Sequence, residues 1–288
     1  MREQRIGMSA MRWLCDRIFY RPDRRDRGSP ADPSLSYEDV FFPAADGAPL
    51  HGWFLPAATG AKARGAVLHL HGNAANVTGH YEFVRWLPAA GYHVLTFDYR
   101  GYGRSEGRVS REGTIEDAAA ALDYIRGRED VDPGRVLVFG QSIGGAISVL
   151  LGARRRGQIR GLVVEGGFSD YRRIVCHHVM HHPLLTVLAW WLPFLVPKGF
   201  DPIDSVAAVS PVPVLFVHGK ADHIVPWQMS QEMYERAGQP KEFWLIEGMD
   251  HYLVWEEEPE EVQARLLAFF ETALSCGGEL VEADAKRS

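Results

Sequence analysis

From Tyr37 onward, short apolar runs rich in Val, Leu and Phe alternate with longer stretches in which apolar residues recur every three or four positions. The first pattern suits strands buried on both faces and the second amphipathic helices, so the alternation predicts a mainly parallel sheet covered on both sides. Strands are expected at 37–42, 50–55, 66–70, 93–97, 136–139, 161–164, 214–217 and 243–246. The clearest helices are expected at 77–90, 114–126, 143–154, 226–236 and 260–275, several opened by Asn, Thr or Pro near the first turn. No internal repeat is visible.

Between the strands ending at Val164 and starting at Val214 the alternation stops, and an insertion at about 168–211 is expected to form a helical cap. Such a cap would lie over the C-terminal edge of the sheet, where open α/β sheets bind their ligands. It contains the stretch HHVMHH from His177 to His182 and the apolar run LLTVLAWWLPFLVP. Trp190 and Trp191 in that run are read as cap core, with a substrate-binding acyl wall as their functional alternative. Residues 1–33 form a lead-in and Pro-rich linker, 34–276 the main domain, and 277–288 a small, charged tail expected to fray. Up to Gly28 the lead-in holds eight arginines against Glu3, Asp16, Asp23 and Asp26. Its Trp13, Leu14, Ile18 and Phe19 suit a short helix packed on the domain in preference to a membrane-surface anchor.

Composition narrows the classes. A chain of 288 residues, 46% hydrophobic and 24% charged, is an ordinary globular protein with enough length for one large core. A net charge of -6 excludes a general nucleic-acid binder. The 3 cysteines, Cys15, Cys176 and Cys276, are odd in number and form no CxxC pair, which favours reduced thiols and a cytoplasmic location. The longest apolar run, 184–197, falls short of the roughly 18 residues of a membrane span and contains Pro193. Charges every few residues leave the N-terminus without the apolar core of a secretory signal.

The strand at 136–139 runs directly into Gly140-Gln141-Ser142-Ile143-Gly144, followed by Gly145 and a helical run. A GxSxG elbow turns strand into helix so sharply that the serine is held in a strained, exposed position, tolerable only with small residues two places either side. A serine hydroxyl is a poor nucleophile at neutral pH, so the elbow calls for a base and a group that orients it. With this elbow the carboxylate and then the histidine follow in the chain, on loops after late strands. His218-Gly219-Lys220-Ala221-Asp222 and Glu247-Gly248-Met249-Asp250-His251 meet both expectations. His251 is therefore the candidate base for the Ser142 proton, and Asp222 the candidate carboxylate that holds the imidazole tautomer.

Acyl transfer also needs N–H donors aimed at the developing oxyanion, each worth about 3 kcal/mol when removed. The candidates are the backbone N–H of Ile143, beside the nucleophile, and that of Asn73 in the loop His71-Gly72-Asn73-Ala74-Ala75-Asn76. Asn76 is also placed to cap the following helix.

The stretches HGNAAN at His71, FDYRGYGRSEG at Phe97, GQSIGGA at Gly140, HGKADHIVP at His218 and GMDH at Gly248 span roughly residues 37–272. Together they resemble the α/β-hydrolases of the serine-hydrolase branch that includes bacterial esterases and eukaryotic protein depalmitoylating hydrolases. The resemblance implies an α/β-hydrolase fold, with an eight-stranded, mostly parallel sheet, helices on both faces and a helical cap after the sixth strand. It also implies a cofactor-free acyl-enzyme mechanism and no metal. Two departures stand out. The residue before the catalytic histidine is usually small in such proteins, whereas Asp250 sets a second carboxylate beside His251. The N-terminus has Cys15 alone in place of the cysteine cluster that lipid-anchors the depalmitoylating members.

Other signals carry less. FDYRGYGRSEG fails the GxGxxG pattern because Glu106 stands sixth from Gly101, and Asp98 and Arg100 are read as loop-stabilising partners. The i,i+4 pairs His177 with His181 and His178 with His182 have no flanking cysteine or carboxylate to complete a metal site, so they are read as rim histidines.

The expected function is a cytoplasmic serine carboxylic-ester hydrolase acting on a small-molecule ester with a short-to-medium apolar acyl chain. No nucleic-acid partner and no stable membrane insertion are expected, only weak surface association through the N-terminus or cap. A thioesterase acting on acyl-proteins or acyl-CoA and a peptidase of the same fold stay open as alternatives. A non-catalytic binding protein runs against the intact triad, and oligomeric state is left open.

Overall fold

The computed structural model describes residues 16, 19–28, 30, 35–58, 62–180, 196–252, 255 and 259–285, with the side chains of the last helix described through Ser275. Strands β1 (Glu38–Pro43), β2 (Pro49–Leu55), β3 (Gly65–Leu70), β4 (Tyr92–Phe97), β5 (Val136–Gln141), β6 (Gly161–Glu165), β7 (Val214–Gly219) and β8 (Lys241–Ile246) form one sheet. Its order is β1-β2-β4-β3-β5-β6-β7-β8. Strands β1 and β2 form an antiparallel hairpin that pairs antiparallel with β4, and every later pairing is parallel. Each expected strand is present; the first is shifted by one residue and the others are longer by one or two.

The inner strands read as continuous apolar runs because successive residues serve two cores. In β5, Val136 and Val138 face a core containing Ile115, Leu122, Ile147 and Leu151, while Leu137 and Phe139 face another containing Val77, Val262, Phe269 and Phe270. With helices on both faces, no polar side is needed.

Among the described residues, helices include α1 (Val77–His80), α2 (Arg111–Arg126), α3 (Ile143–Arg155), α4 (Tyr171–Met180), α5 (Pro202–Ser205), α6 (Trp227–Arg236) and α7 (Pro259–Ala285). Ser110 caps α2 by accepting the Gly113 N–H at 3.0 Å. Two segments differ from the sequence reading. The helix expected over 77–90 is only one turn of α-helix followed by a 3-10 turn, Tyr81–Phe83, and further i→i+3 turns. Gly79 weakens the segment, and Pro88 has no N–H with which to continue it. At the other end, α7 passes Ser275 and continues to Ala285. Two glycines cost about 1 kcal/mol each, and the Glu, Leu and Ala around Gly277 and Gly278 are strong helix formers.

Between β6 and β7, α4 and α5 depart from simple βα spacing. Trp190 and Trp191 lie outside the described residues, as do His181 and His182. His177 Nε2 approaches the His223 carbonyl at 3.4 Å, a contact between α4 and the loop after β7. Phe19 packs edge-on against Phe168 and Tyr20 is buried, its hydroxyl 3.2 Å from those of Thr114 and Tyr171. Arg111 closes an ion pair with Asp16 at 3.0 Å, so the lead-in is joined to the domain by both apolar and charged contacts. Among the described residues no helix is long and apolar enough to cross a membrane.

Candidate active site

Five loops meet at the C-terminal ends of β3, β5, β6, β7 and β8, the edge at which open α/β sheets bind ligands. Ser142 stands where β5 becomes α3, at φ 53° and ψ -115°, a conformation that L-residues avoid. Its N–H donates to the Glu165 carbonyl at 2.8 Å. The flanking glycines are required by packing. A methyl group on Gly140 would strike the Gly144 carbonyl, and one on Gly144 would strike the carbonyl oxygens of Leu70 and His71. These obstacles are backbone atoms, so no rotamer change relieves them.

Asp222 and His251 meet across the loops after β7 and β8. His251 Nδ1 lies 2.6 Å from Asp222 Oδ2, a charge-assisted geometry. The other oxygen, Oδ1, accepts the backbone N–H groups of Ile224 and Val225, each at 2.8 Å. Burial pushes the Asp222 carboxyl up, but hydrogen bonds from His218 and His251 outweigh it and hold the group well below the usual carboxylate range. A methyl on Gly166 would come within 3.0 Å of His251 Cε1, so a bare backbone forms one wall of the imidazole slot. Among the described residues, Gly166, His218, Asp222, His251 and Tyr252 help to line a cavity of about 10 Å³.

Sequence reasoning missed His218. Its Nε2 faces two acceptors, the Val225 carbonyl at 2.9 Å and Asp222 Oδ2 at 3.1 Å, and therefore carries a proton. Asp222 thus serves two histidines. The signal was present in HGKADH, but choosing it requires knowing that β7 aims His218 and Asp222 at one point.

Asp250 turns away from the imidazole. Its carboxylate accepts the backbone N–H of His251 at 2.6 Å and that of His223 at 3.1 Å, and it pairs with His223 Nδ1 at 2.7 Å. Slight burial raises its pKa, and these bonds more than reverse the effect. The second carboxylate therefore ties the β7 and β8 loops together.

Ile143 follows Ser142 at the start of α3, and Asn73 stands in the loop after β3. Among the described residues neither backbone N–H is engaged by a protein acceptor. The Asn73 side chain is engaged at both ends: its oxygen accepts from Tyr102 Oη, Arg21 N and Ala74 N, and its amide donates to the Phe19 carbonyl at 2.7 Å. Ala74 and Ala75 stand at φ 61° and 52°. Asn76 caps α1 by accepting the Thr78 N–H at 3.0 Å, while its amide donates to the carbonyls of Asp23 and Arg25. The lead-in segment thus clamps the loop after β3, in which Ala74 and Ala75 are strained.

Around this centre, Asp98 accepts the Val77 N–H at 2.7 Å, and Arg100 pairs with Asp117 at 2.7 Å, both loop-stabilising as expected. Glu165 is buried at the end of β6, where it accepts from Gln141 Nε2 at 2.8 Å and Trp255 Nε1 at 2.6 Å. Burial outweighs these bonds and pushes its carboxyl up to about 7. Cys176 is a free thiol, and the side chains of Cys15 and Cys276 lie outside the described set.

The family model described as serine aminopeptidase, S33, matches residues 61–202 and 198–258. The protein YfhR of Escherichia coli (strain K12) is 37% identical over 262 residues, covering 90% of this chain and 88% of YfhR. The α/β-hydrolase domain-containing protein WAV2 of Arabidopsis thaliana is 34% identical over 222 residues, covering 73% of this chain and 69% of WAV2. Among solved structures, the Pyrococcus furiosus esterase Pf2001 superposes with a TM-score of 0.75 at 23% identity, covering 88% of this chain and 97% of the esterase, a likeness of fold. The chain is a serine hydrolase of the α/β-hydrolase superfamily and belongs to the S33 serine aminopeptidase family.

Proposed function

We propose that this protein is a cytoplasmic serine carboxylic-ester hydrolase that works through Ser142, His251 and Asp222. The observation that carries the reading is the 2.6 Å His251–Asp222 pair, on loops that converge with the strained Ser142 elbow and the unengaged Asn73 and Ile143 amides. Ser142 Oγ attacks the ester carbonyl while His251 Nε2 takes its proton, and Asp222 stabilises the imidazolium. The Asn73 and Ile143 N–H groups receive the oxyanion. His251 then protonates the leaving alcohol, and a water activated by the same imidazole releases the acid. Short-to-medium apolar acyl chains are the proposed substrates, with Trp190 and Trp191 as acyl-contacting residues of the cap.

The family description favours a second reading, hydrolysis of aminoacyl amides by the same residues. Hydrolysis of p-nitrophenyl esters from acetate to palmitate, set beside aminoacyl nitroanilides and acyl thioesters, separates these readings. Ester turnover peaking at one chain length and falling at least about 10⁴-fold in Ser142→Ala is the expected result. Faster nitroanilide or thioester turnover would transfer the assignment, and activity that survives Ser142→Ala would end it.

A further inference from the structure

The residue after His251 is a tyrosine in a conformation that its side chain disfavours. Tyr252 stands at φ 64°, in the left-handed region where a bulky residue is strained. Its ring lies against the His251 imidazole at 4.1 Å between centroids, and its far side meets Phe83 at 5.2 Å. This packing leaves the hydroxyl beside the loop after β3. A methyl group on Gly72 would come within 2.5 Å of Tyr252 Oη, so the glycine before Asn73 leaves the space that the hydroxyl fills.

The hydroxyl is buried and makes no well-formed hydrogen bond to the protein. Its polar neighbours are the Ser142 hydroxyl and, further off, the Glu165 and Asp222 carboxylates. Burial raises the phenol far above its ordinary range, so it stays a protonated donor at every working pH. Strained residues that persist despite their cost gather at functional sites, and the polar group nearest to this buried O–H is the Ser142 hydroxyl. Tyr252 Oη thus lies beside both the Ser142 hydroxyl and Gly72, the residue before Asn73.

We propose that Tyr252 is a further catalytic residue, whose hydroxyl donates a hydrogen bond to the oxyanion formed on Ser142. The inference rests on the hydrolase reading above. The O–H donates without transferring its proton, so the steps at Ser142 and His251 are unchanged, and the donor acts most strongly when the carbonyl oxygen gains charge. Its contribution therefore belongs to kcat.

Tyr252→Phe keeps the ring packing and removes only the donor. Turnover of the best p-nitrophenyl ester is expected to lose about 10- to 100-fold in kcat with KM changed less than about threefold. Binding of an aryl boronic acid, which forms a tetrahedral adduct on Ser142 without turnover, is expected to weaken by the same factor as kcat/KM. The melting temperature of the variant separates loss of a donor from loss of fold. A kcat within twofold of the wild type, a change confined to KM, or a faster variant would overturn the proposal. If the unmodified protein neither turns over an ester nor forms the boronate adduct, the hydrolase reading fails and the proposal with it.

Discussion

The elbow around Ser142 and the loop around His251 contribute to one site but are held in place by opposite means. At the elbow, backbone packs on backbone: Gly144 sits under the Leu70 carbonyl, Gly140 under Gly144, and the Ser142 N–H is tied to Glu165 O. The His251 loop is held by side chains, Asp250 to His223 and Asp222 to His251, with the Tyr252 ring packed against the imidazole. A motif of five residues is enough to build the first. The second depends on partners brought together from the ends of β7 and β8.

That contrast can be broken from either side. The largest effect is expected at the loop, in chemistry without loss of fold: Asp222→Asn keeps the shape but favours the wrong imidazole tautomer, so ester turnover should drop by about 10⁴ in kcat. Stopped-time assays beside an unchanged melting curve test this, and a drop below tenfold would mean that another group orients His251. At the elbow the order is reversed, stability before chemistry. Gly144→Ala drives a methyl into immovable strand backbone, and a loss of about 3 kcal/mol or more is expected in urea unfolding. A well-folded Gly144→Ala variant would show that the elbow has slack.

Glu165 connects the two regions, since its backbone carbonyl holds Ser142 and its carboxylate holds Trp255. In the folded chain its pKa is up to about 7 from an ordinary 4.5, so the folded state binds the proton more tightly than the unfolded state. The stability that this proton adds is complete below pH 4.5 and is lost as the pH rises to about 7, a loss of about 3 kcal/mol at 1.36 kcal/mol per pH unit. Glu165→Gln cannot titrate. Its melting temperature is therefore expected to gain on that of the wild type between pH 4.5 and 7, and a constant gap across that range would remove the effect.

Strand positions and the elbow at Ser142 were legible in the sequence because each depends on short-range rules. Apolar runs mark strands buried on both faces, and glycines two places from a serine mark a turn with no room for side chains. The false extension of α1 through residue 90 shows where such rules weaken, since Gly79 and Pro88 outweighed an apolar period.

Other features were decided only in three dimensions. That Asp250 binds His223 and leaves the imidazole alone, that His218 shares Asp222, and that Asn73 and Asn76 bolt residues 19–25 to the loop after β3 are contacts between distant segments. A polar side chain carries the same donors and acceptors wherever the chain runs, so its identity does not name its partner. The sequence by itself determined where the backbone must turn and which chemical groups the turns carry. Only the packing of the sheet edge decided which of those groups meet, and that it is Tyr252 whose hydroxyl is left buried beside Ser142.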